Sequence, residues 1–426
     1  MRTSILTWGS HGDVLPYISL ALGLMDKGHE VILAAPENFS DMIKRRGIQY
    51  MPLPGDSQQV IDSEEGRKWI AAGDIKTFMK EMGNIFSTRK VELRRDALAA
   101  CANSEAIICG TLMVYYSAIL SEKLRIPIMY ANVNPVYVST SAFPHFVLSS
   151  RNLRIGWLNA LTYSLVFKAI HKQMANDFIE WRKDLLLDAR QPMPFPQILR
   201  KGFPVVLGYS EELLAKPKDW GEKICISGIW KTGAQHQKKD PPPVELVSWI
   251  NAGSPPLYIG FGSMPVTDPG KMQKMIIDIC KEADTRLILH GSWPDLRNDK
   301  DPHVYHLNQF IDLEWLFPRC SVLVHHGGVG TTHLGIAAGI PAVICSIFAD
   351  NALWGERLTS MDLGRHIPFK NLQKNRLAKA IKDVQTEKVR ENTARVGRKL
   401  AREDGLKTAL DFIETNLSKA PVYSNL

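Results

Sequence analysis

No stretch of this 426-residue sequence is long and apolar enough to read as a membrane span. The uncharged, largely apolar run at residues 155–167 falls short of the roughly 20 residues a helix needs to cross a bilayer. Cysteine is sparse. Cys101, Cys109, Cys225, Cys280, Cys320 and Cys345 are scattered with no C-x-x-C pair, which speaks against a disulfide scaffold and for a reducing compartment. Several lie in apolar runs, where a free thiol behaves as a small hydrophobe. The sequence also lacks an arginine-rich run, a nucleic-acid-binding signature, a tandem repeat and a low-complexity tract; no nucleic-acid partner is expected. The opening residues enter a strand pattern at once, without the apolar core of a signal peptide. The expectation is a cytoplasmic protein, at most peripheral to a membrane. A net charge of +8 fits attraction to an anionic nucleotide or an anionic lipid surface, and equally a solvated basic face.

Hydrophobic residues at 45% and charged residues at 23% give the balance of a globular protein. The length exceeds what one ordinary core organises, so two domains are expected. The first forty residues alternate cleanly. Ser4-Ile5-Leu6-Thr7-Trp8 reads as a strand, Gly9-Ser10-His11-Gly12-Asp13 as a turn cluster, and residues 16–25 as a helix. Val31-Ile32-Leu33-Ala34-Ala35 is the next strand. This order predicts βαβ units on a parallel sheet. The scheme restarts at Leu257-Tyr258-Ile259-Gly260-Phe261, again followed by glycine and serine, Gly262-Ser263, and a helix over residues 270–281. Two α/β, doubly wound domains follow, with the polar, proline-bearing segment 235–244 as linker. Domain bounds are expected at 1–234 and 245–405, with a helix and tail over 406–426 returning to the first domain.

Between residues 135 and 195 the sequence is rich in aromatics, including Tyr137, Phe143 and Phe146. They suit helices packed on the first sheet, and as a group they also suit the wall of an apolar pocket beyond the strand ends.

The densest signal is Val322-Leu323-Val324-His325-His326-Gly327-Gly328-Val329-Gly330-Thr331-Thr332. An apolar strand runs into a glycine-rich turn, and a helix is expected from Thr331. Glycines admit close backbone approach, and the amides of a helix start favour an anion. The imidazoles beside the turn add donors for phosphate. A metal pair is the poorer reading, because adjacent strand residues point to opposite faces and no third ligand completes a sphere.

His325 to Thr332, with Ala338-Gly339-Ile340-Pro341, Phe348-Ala349-Asp350-Asn351 and Trp354-Gly355-Glu356-Arg357, resembles the donor-binding signature of family 1 glycosyltransferases. The similarity is to sterol glucosyltransferases, bacterial antibiotic glycosyltransferases and rhamnolipid-forming rhamnosyltransferases. Gly9-Ser10-His11-Gly12-Asp13 resembles their Gly-Ser-Arg-Gly-Asp motif. The resemblance implies the GT-B fold, two facing Rossmann-like domains with a cleft, and inverting, metal-independent transfer with a nucleotide sugar as substrate and no cofactor. It implies that His325, with Gly327, Gly328, Gly330 and Thr331, holds the diphosphate, joined by Ser10, Gly12 and Ser263. Phe310 and Ile311 would read the base, Asp350 and Asn351 the sugar hydroxyls, and Asp13 would be the base that deprotonates the acceptor. Three positions depart from the pattern: His11 stands for Arg, Asn351 for Gln and Val329 for Ala. His11 is therefore a second candidate for the base.

The physics agrees with these roles. Negative charge grows on the leaving diphosphate as an oxocarbenium-like centre forms, and preorganised donors stabilise that charge. Asp13 read alone is more often a helix cap, and its place in the motif lifts the base above that reading. The expected function is glucose transfer from UDP-glucose to a hydroxyl of a lipophilic acceptor, such as a sterol, polyketide, flavonoid or fatty acid. A nucleotide-sugar epimerase and an inactive nucleotide-sugar-binding protein are the alternatives. A dehydrogenase is excluded by the missing G-x-G-x-x-G.

Overall fold

A computed structural model of the chain describes residues 1–72, 75–150, 152–190, 198, 201–236, 241–262, 268–291, 301–347 and 349–423. The chain packs as two compact units. The first comprises Met1–Val60, Met79–Gln237 and Asp404–Leu426; the second comprises Ile61–Phe78 and Lys238–Glu403.

In chain order the first stretch runs β1 (Arg2–Leu6), α1 (His11–Asp26), β2 (Glu30–Pro36), α2 (Ser40–Lys44), β3 (Gln49–Leu53), α3 (Ser57–Asp62), α4 (Glu64–Ala72), α5 (Ile75–Thr88) and α6 (Lys90–Cys101). Then come β4 (Ala106–Cys109), α7 (Val114–Leu124), β5 (Ile128–Asn132), α8 (Gly156–Asp184), β6 (Val205–Leu207) and β7 (Ile224–Ile226). The sheet of the first unit is parallel throughout, in the order β3-β2-β1-β4-β5-β6-β7. Every residue of β4 and β5 is buried, as a parallel sheet covered on both faces requires.

The second stretch runs α9 (Val244–Asn251), β8 (Leu257–Gly260), α10 (Pro269–Glu282), β9 (Leu287–His290), β10 (Val304–Leu307), α11 (Leu313–Leu316), β11 (Val322–His325) and α12 (Val329–Ala337). It continues with β12 (Ala342–Ser346), α13 (Ala349–Ser360), β13 (Gly364–Pro368), α14 (Lys374–Val384), α15 (Glu387–Leu400) and α16 (Gly405–Asn416). The second sheet, also parallel, has the order β10-β9-β8-β11-β12-β13. Counted within its unit this is the 3-2-1-4-5-6 order of the Rossmann fold. Leu257, Ile259, Val322, Val324, Val343 and Cys345 from its strands centre one apolar cluster.

α1 begins five residues before the helix read from sequence. Ser10 takes an extended N-cap conformation (φ −82°, ψ −176°), and the third helical residue, Asp13, turns its carboxylate back to the Ser10 amide. This reciprocal cap starts the helix inside the supposed turn. Pro16 sits within it, forgoing one helical hydrogen bond. α12 likewise starts at Val329, not Thr331, because the Thr332 amide and hydroxyl both donate to the Gly328 carbonyl, each at 2.9 Å.

α16 belongs to the first unit, where it packs on α1 and β6. A Cβ on Gly23 of α1 would stand 2.5 Å from Leu410 Cδ1, and one on Gly405 would stand 2.3 Å from the Ile229 carbonyl oxygen. Tyr423 is buried beyond it, with its amide donating to Ser121 Oγ at 3.0 Å.

Candidate active site

In open α/β sheets ligands bind beyond the carboxyl ends of the strands, where the strand order reverses. That point lies at β1 and β4 in the first unit and at β8 and β11 in the second. The loops that leave those strands carry the Gly-Ser-His-Gly-Asp and His-His-Gly-Gly motifs.

In the first unit Asp13 Oδ2 accepts from the Ser10 amide at 2.9 Å and the Ser10 hydroxyl at 3.0 Å. Thr7 Oγ1 donates to the Asp13 carbonyl at 2.5 Å. Burial pushes the Asp13 carboxyl above the usual carboxylate range, and the two Ser10 hydrogen bonds pull against that shift. The net rise makes it a stronger proton acceptor than an exposed aspartate. Gly9 makes room for it. Gly9 has φ +139°, and a Cβ there would lie 2.4 Å from Asp13 Oδ2. His11 and Gly12 are exposed in the first turn. The His11 ring meets Phe39 edge-on at 5.0 Å, and burial lowers its pKa while Asp56 raises it less. His11 is therefore neutral near pH 7.

The three aromatics read as acceptor contacts divide. Tyr137 is buried and its hydroxyl donates to the Thr111 carbonyl. Phe146 is buried, tilted on the His145 ring at 5.0 Å. Phe143 is half-buried, edge-on to Trp220 at 6.1 Å. Burial pushes the Tyr137 hydroxyl well above its ordinary range.

In the second unit His325 ends β11 with none of its surface exposed. Its Nδ1 accepts from the Gly327 amide at 3.1 Å. Burial, with His326 adding to it, lowers its pKa to about 3. A neutral imidazole whose Nδ1 accepts must carry its proton on Nε2, and Nε2 is buried without a partner among the described residues. His325 is thus a preorganised donor lacking an acceptor. Beside it α12 opens at Gly328 with no side-chain cap and no acidic residue in its first turn. Its leading amides are positive and uncapped. Gly327, at φ +96°, admits no side chain, since a Cβ would lie 2.6 Å from Ile344 Cγ2 and 3.0 Å from the Asn351 carbonyl oxygen. Gly330 faces open space, and Thr331 is half-buried next to it.

Asp350 is half-buried and Asn351 buried in the first turn of α13. Ile311 is buried, whereas Phe310 is 90% exposed, which leaves backbone as the means by which that segment would read a base. Ser263 and Phe348 lie outside the described residues.

Two further residues bear on the site: His326, seen in the sequence only as one of the two imidazoles beside the turn, and His290, which the sequence did not mark. His326 is half-buried, with its ring between Gly262 and Gly328: a Cβ on either would stand 3.0 Å and 2.7 Å from it. Its Nδ1 has no partner, and burial lowers its pKa to about 4. The doubled histidine was the available signal. His290, at the end of β9, takes a hydrogen bond with Tyr258 at 2.8 Å and one with the Gln309 backbone, so it supports the segment before Phe310. Nothing in the sequence around it marks that role. Among the described residues no three His, Cys, Asp or Glu side chains converge as a metal set.

The glycosyltransferase family 28 N-terminal domain matches residues 4–143, and the erythromycin biosynthesis protein CIII-like C-terminal domain matches residues 274–405. These spans hold both motif loops. The chain is thus similar to these families in both of its units. It is 31% identical to a sterol 3-beta-glucosyltransferase of Arabidopsis thaliana over 99% of its own length and 66% of the relative's. It is 30% identical to a sterol 3-beta-glucosyltransferase of Aspergillus clavatus over 99% of its length and 30% of the relative's. The chain thus spans just under two thirds of one relative and less than a third of the other. Among solved structures, the kitacinnamycin glycotransferase superposes with a TM-score of 0.71 at 16% identity, covering 98% of this chain and 99% of that one. The calicheamicin glycosyltransferase CalG4 superposes at 0.67 and 16%, covering 97% of each. These establish the GT-B fold of two Rossmann-like domains.

Proposed function

We propose that this chain transfers glucose from UDP-glucose to a hydroxyl of a sterol or similarly lipophilic alcohol, with inversion and without a metal. The observation that carries the reading is His325. Its only free donor is locked on Nε2 by the Gly327 amide, buried, and set beside an uncapped helix start. Such an arrangement suits an anion whose charge rises during reaction, as a departing diphosphate does. His326 and the amides of Val329, Gly330 and Thr331 extend the same cradle, which supplies the positive potential a cation supplies elsewhere.

Asp13 takes the acceptor's hydroxyl proton. The acceptor oxygen then bonds to the anomeric carbon as the bond from that carbon to the diphosphate oxygen breaks. The electron pair leaves with UDP. Asp350 and Asn351 hold the sugar hydroxyls, and backbone at Phe310 and Ile311 reads the base. The printed names of the relatives, sterol 3-beta-glucosyltransferases, support glucose and a sterol-like acceptor. A structural neighbour complexed with thymidine diphosphate makes dTDP-glucose the competing donor.

The test is release of nucleoside diphosphate from UDP-glucose, UDP-galactose, UDP-glucuronate and dTDP-glucose, with and without a panel of sterols and other lipophilic alcohols. UDP release that requires both UDP-glucose and a sterol is expected. Acceptor-independent release, or interconversion of UDP-glucose and UDP-galactose, defeats the reading. His325→Ala is expected to lower turnover by about 10²–10³, the usual cost of one preorganised donor, and to weaken UDP binding. Near-normal values for both would remove His325 from the site.

A further inference from the structure

The outward face of α8 is built unlike a solvated helix surface. Its inward face buries Asn159, Thr162, Tyr163, Val166 and Phe167. The opposite face of its first half carries Trp157 at 69% exposure, Leu161 at 45% and Leu165 at 51%. Lys168 and Lys172, both exposed, continue the same line. At 3.6 residues per turn these five positions fall within about a quarter of the circumference. A surface helix ordinarily turns polar residues outward, and an apolar ridge left in the open marks an interaction face.

The preceding loop widens the ridge. It is tied to the first turns of α8: the His145 amide donates to Thr162 Oγ1 at 2.7 Å, Asn159 Nδ2 to the Ser141 carbonyl at 2.9 Å, and the Leu153 amide to Asn159 Oδ1 at 3.4 Å. From this anchored loop Val147, Leu148 and Ile155 are exposed at 42%, 53% and 45%. The charge carried by this segment itself has one sign, and the Asp219 carboxylate accepts from Thr140 and Ser141 where the loop begins. No Asp or Glu occurs between Glu122 and Asp177, while Arg151, Arg154, Lys168 and Lys172 do. Neither Lys168 nor Lys172 is in an ion pair among the described residues.

We propose that this ridge docks the first unit on an anionic lipid surface. Trp157, Leu161 and Leu165 enter the headgroup boundary, and Arg154, Lys168 and Lys172 meet the phosphates. A single-sided apolar strip with a tryptophan at its start and lysines along it has the chemistry of an interfacial helix. No helix among the described residues is long and apolar enough to cross the membrane, so the contact is peripheral. Charge decides against a second copy of this chain as occupant, because two such faces would bring cation against cation. The docking rests on the glucosyltransferase reading only for its purpose, which is to draw a membrane-dissolved alcohol to the acceptor-binding unit.

The test is co-sedimentation with phosphatidylcholine vesicles, with and without phosphatidylserine, in the absence of donor and acceptor, so that it stands apart from any failure of the enzymatic reading. The full chain should bind only the anionic vesicles and release them at high salt. Leu161→Glu/Leu165→Glu should weaken that binding by more than about tenfold. Lys168→Glu/Lys172→Glu should weaken it by at least about fivefold per cation. All four positions are exposed, so thermal unfolding should be unchanged; Trp157→Ser provides an independent variant with the same expectation. Failure of the full chain to bind anionic vesicles at low salt overturns the proposal. So does unaltered binding by the leucine pair variant, or a solution dimer that this variant turns into a monomer.

Discussion

Asp13 combines two duties that pull in opposite directions. As the third residue of α1 it closes the cap with Ser10, and in the proposed function the same carboxyl, its pKa raised by burial, is the base. The sign of its effect on stability follows from that rise. The folded state holds the proton to higher pH than the unfolded chain, so stability falls as pH rises from the unfolded to the folded pKa. Above that window the ionised carboxylate costs stability. Asp13→Asn removes the cost and keeps an oxygen able to accept from Ser10. Its melting temperature at pH 7 should therefore equal or exceed that of the unaltered protein. Turnover should drop by about 10²–10⁴, the usual loss with a general base, while UDP binding holds. In the unaltered protein the rate should decline as pH falls through the raised carboxyl pKa. If His11→Gln proves the more damaging variant, with a rate that tracks an imidazole, the base is His11. Gly9→Ala should mimic Asp13→Asn in rate, because its Cβ would occupy the carboxylate's place.

At the scale of elements, the start of α12 separates fold from binding through two glycines. Gly327→Ala forces a side chain into a left-handed backbone position against Ile344, at a cost of about 1–3 kcal/mol from strain alone. Its melting temperature should drop. Gly330→Ala meets open space on a helix, so its melting temperature should hold while UDP affinity falls. Calorimetric titration beside thermal melts distinguishes the pair, and equal UDP affinity in Gly330→Ala would move the diphosphate elsewhere. Much of this element was legible in advance. The run from Val322 to Val324 and the glycines after it announce strand and turn, because period and backbone freedom are local properties. The helix starts were not legible, since Ser10 and Gly328 become caps through hydrogen bonds to Asp13 and Thr332. His290 was invisible for a similar reason: its partners, Tyr258 of β8 and the Gln309 backbone in the loop after β10, are distant in sequence. Tyr137 and Phe146 show the limit from the other side. Their aromatic character was plain, but only packing reveals that one hydroxyl is taken by Thr111 and one ring by His145.

At the scale of the whole molecule, a diphosphate held at α12 as proposed would need no cation, so turnover should persist in EDTA. Complete loss restored by Mg²⁺ or Mn²⁺ would contradict the proposed chemistry. The two units also differ in how the chain builds them. Leu410 is buried against α1 at Gly23, and Leu410→Ala should destabilise the first unit by about 2–5 kcal/mol. The heat-capacity trace should then show one transition moved down and the other left in place.

The return of α16 also imposes an order on biosynthesis. Domains ordinarily fold as they leave the ribosome, the earlier one first. Here the earlier unit lacks Asp404–Leu426 until translation has passed the whole of Lys238–Glu403. The second unit is therefore free to mature while the first waits, with the α1 surface at Gly23 bare for the length of that delay. A nascent chain stalled short of Asp404 should be held by chaperones through this surface, and release should coincide with emergence of Tyr423.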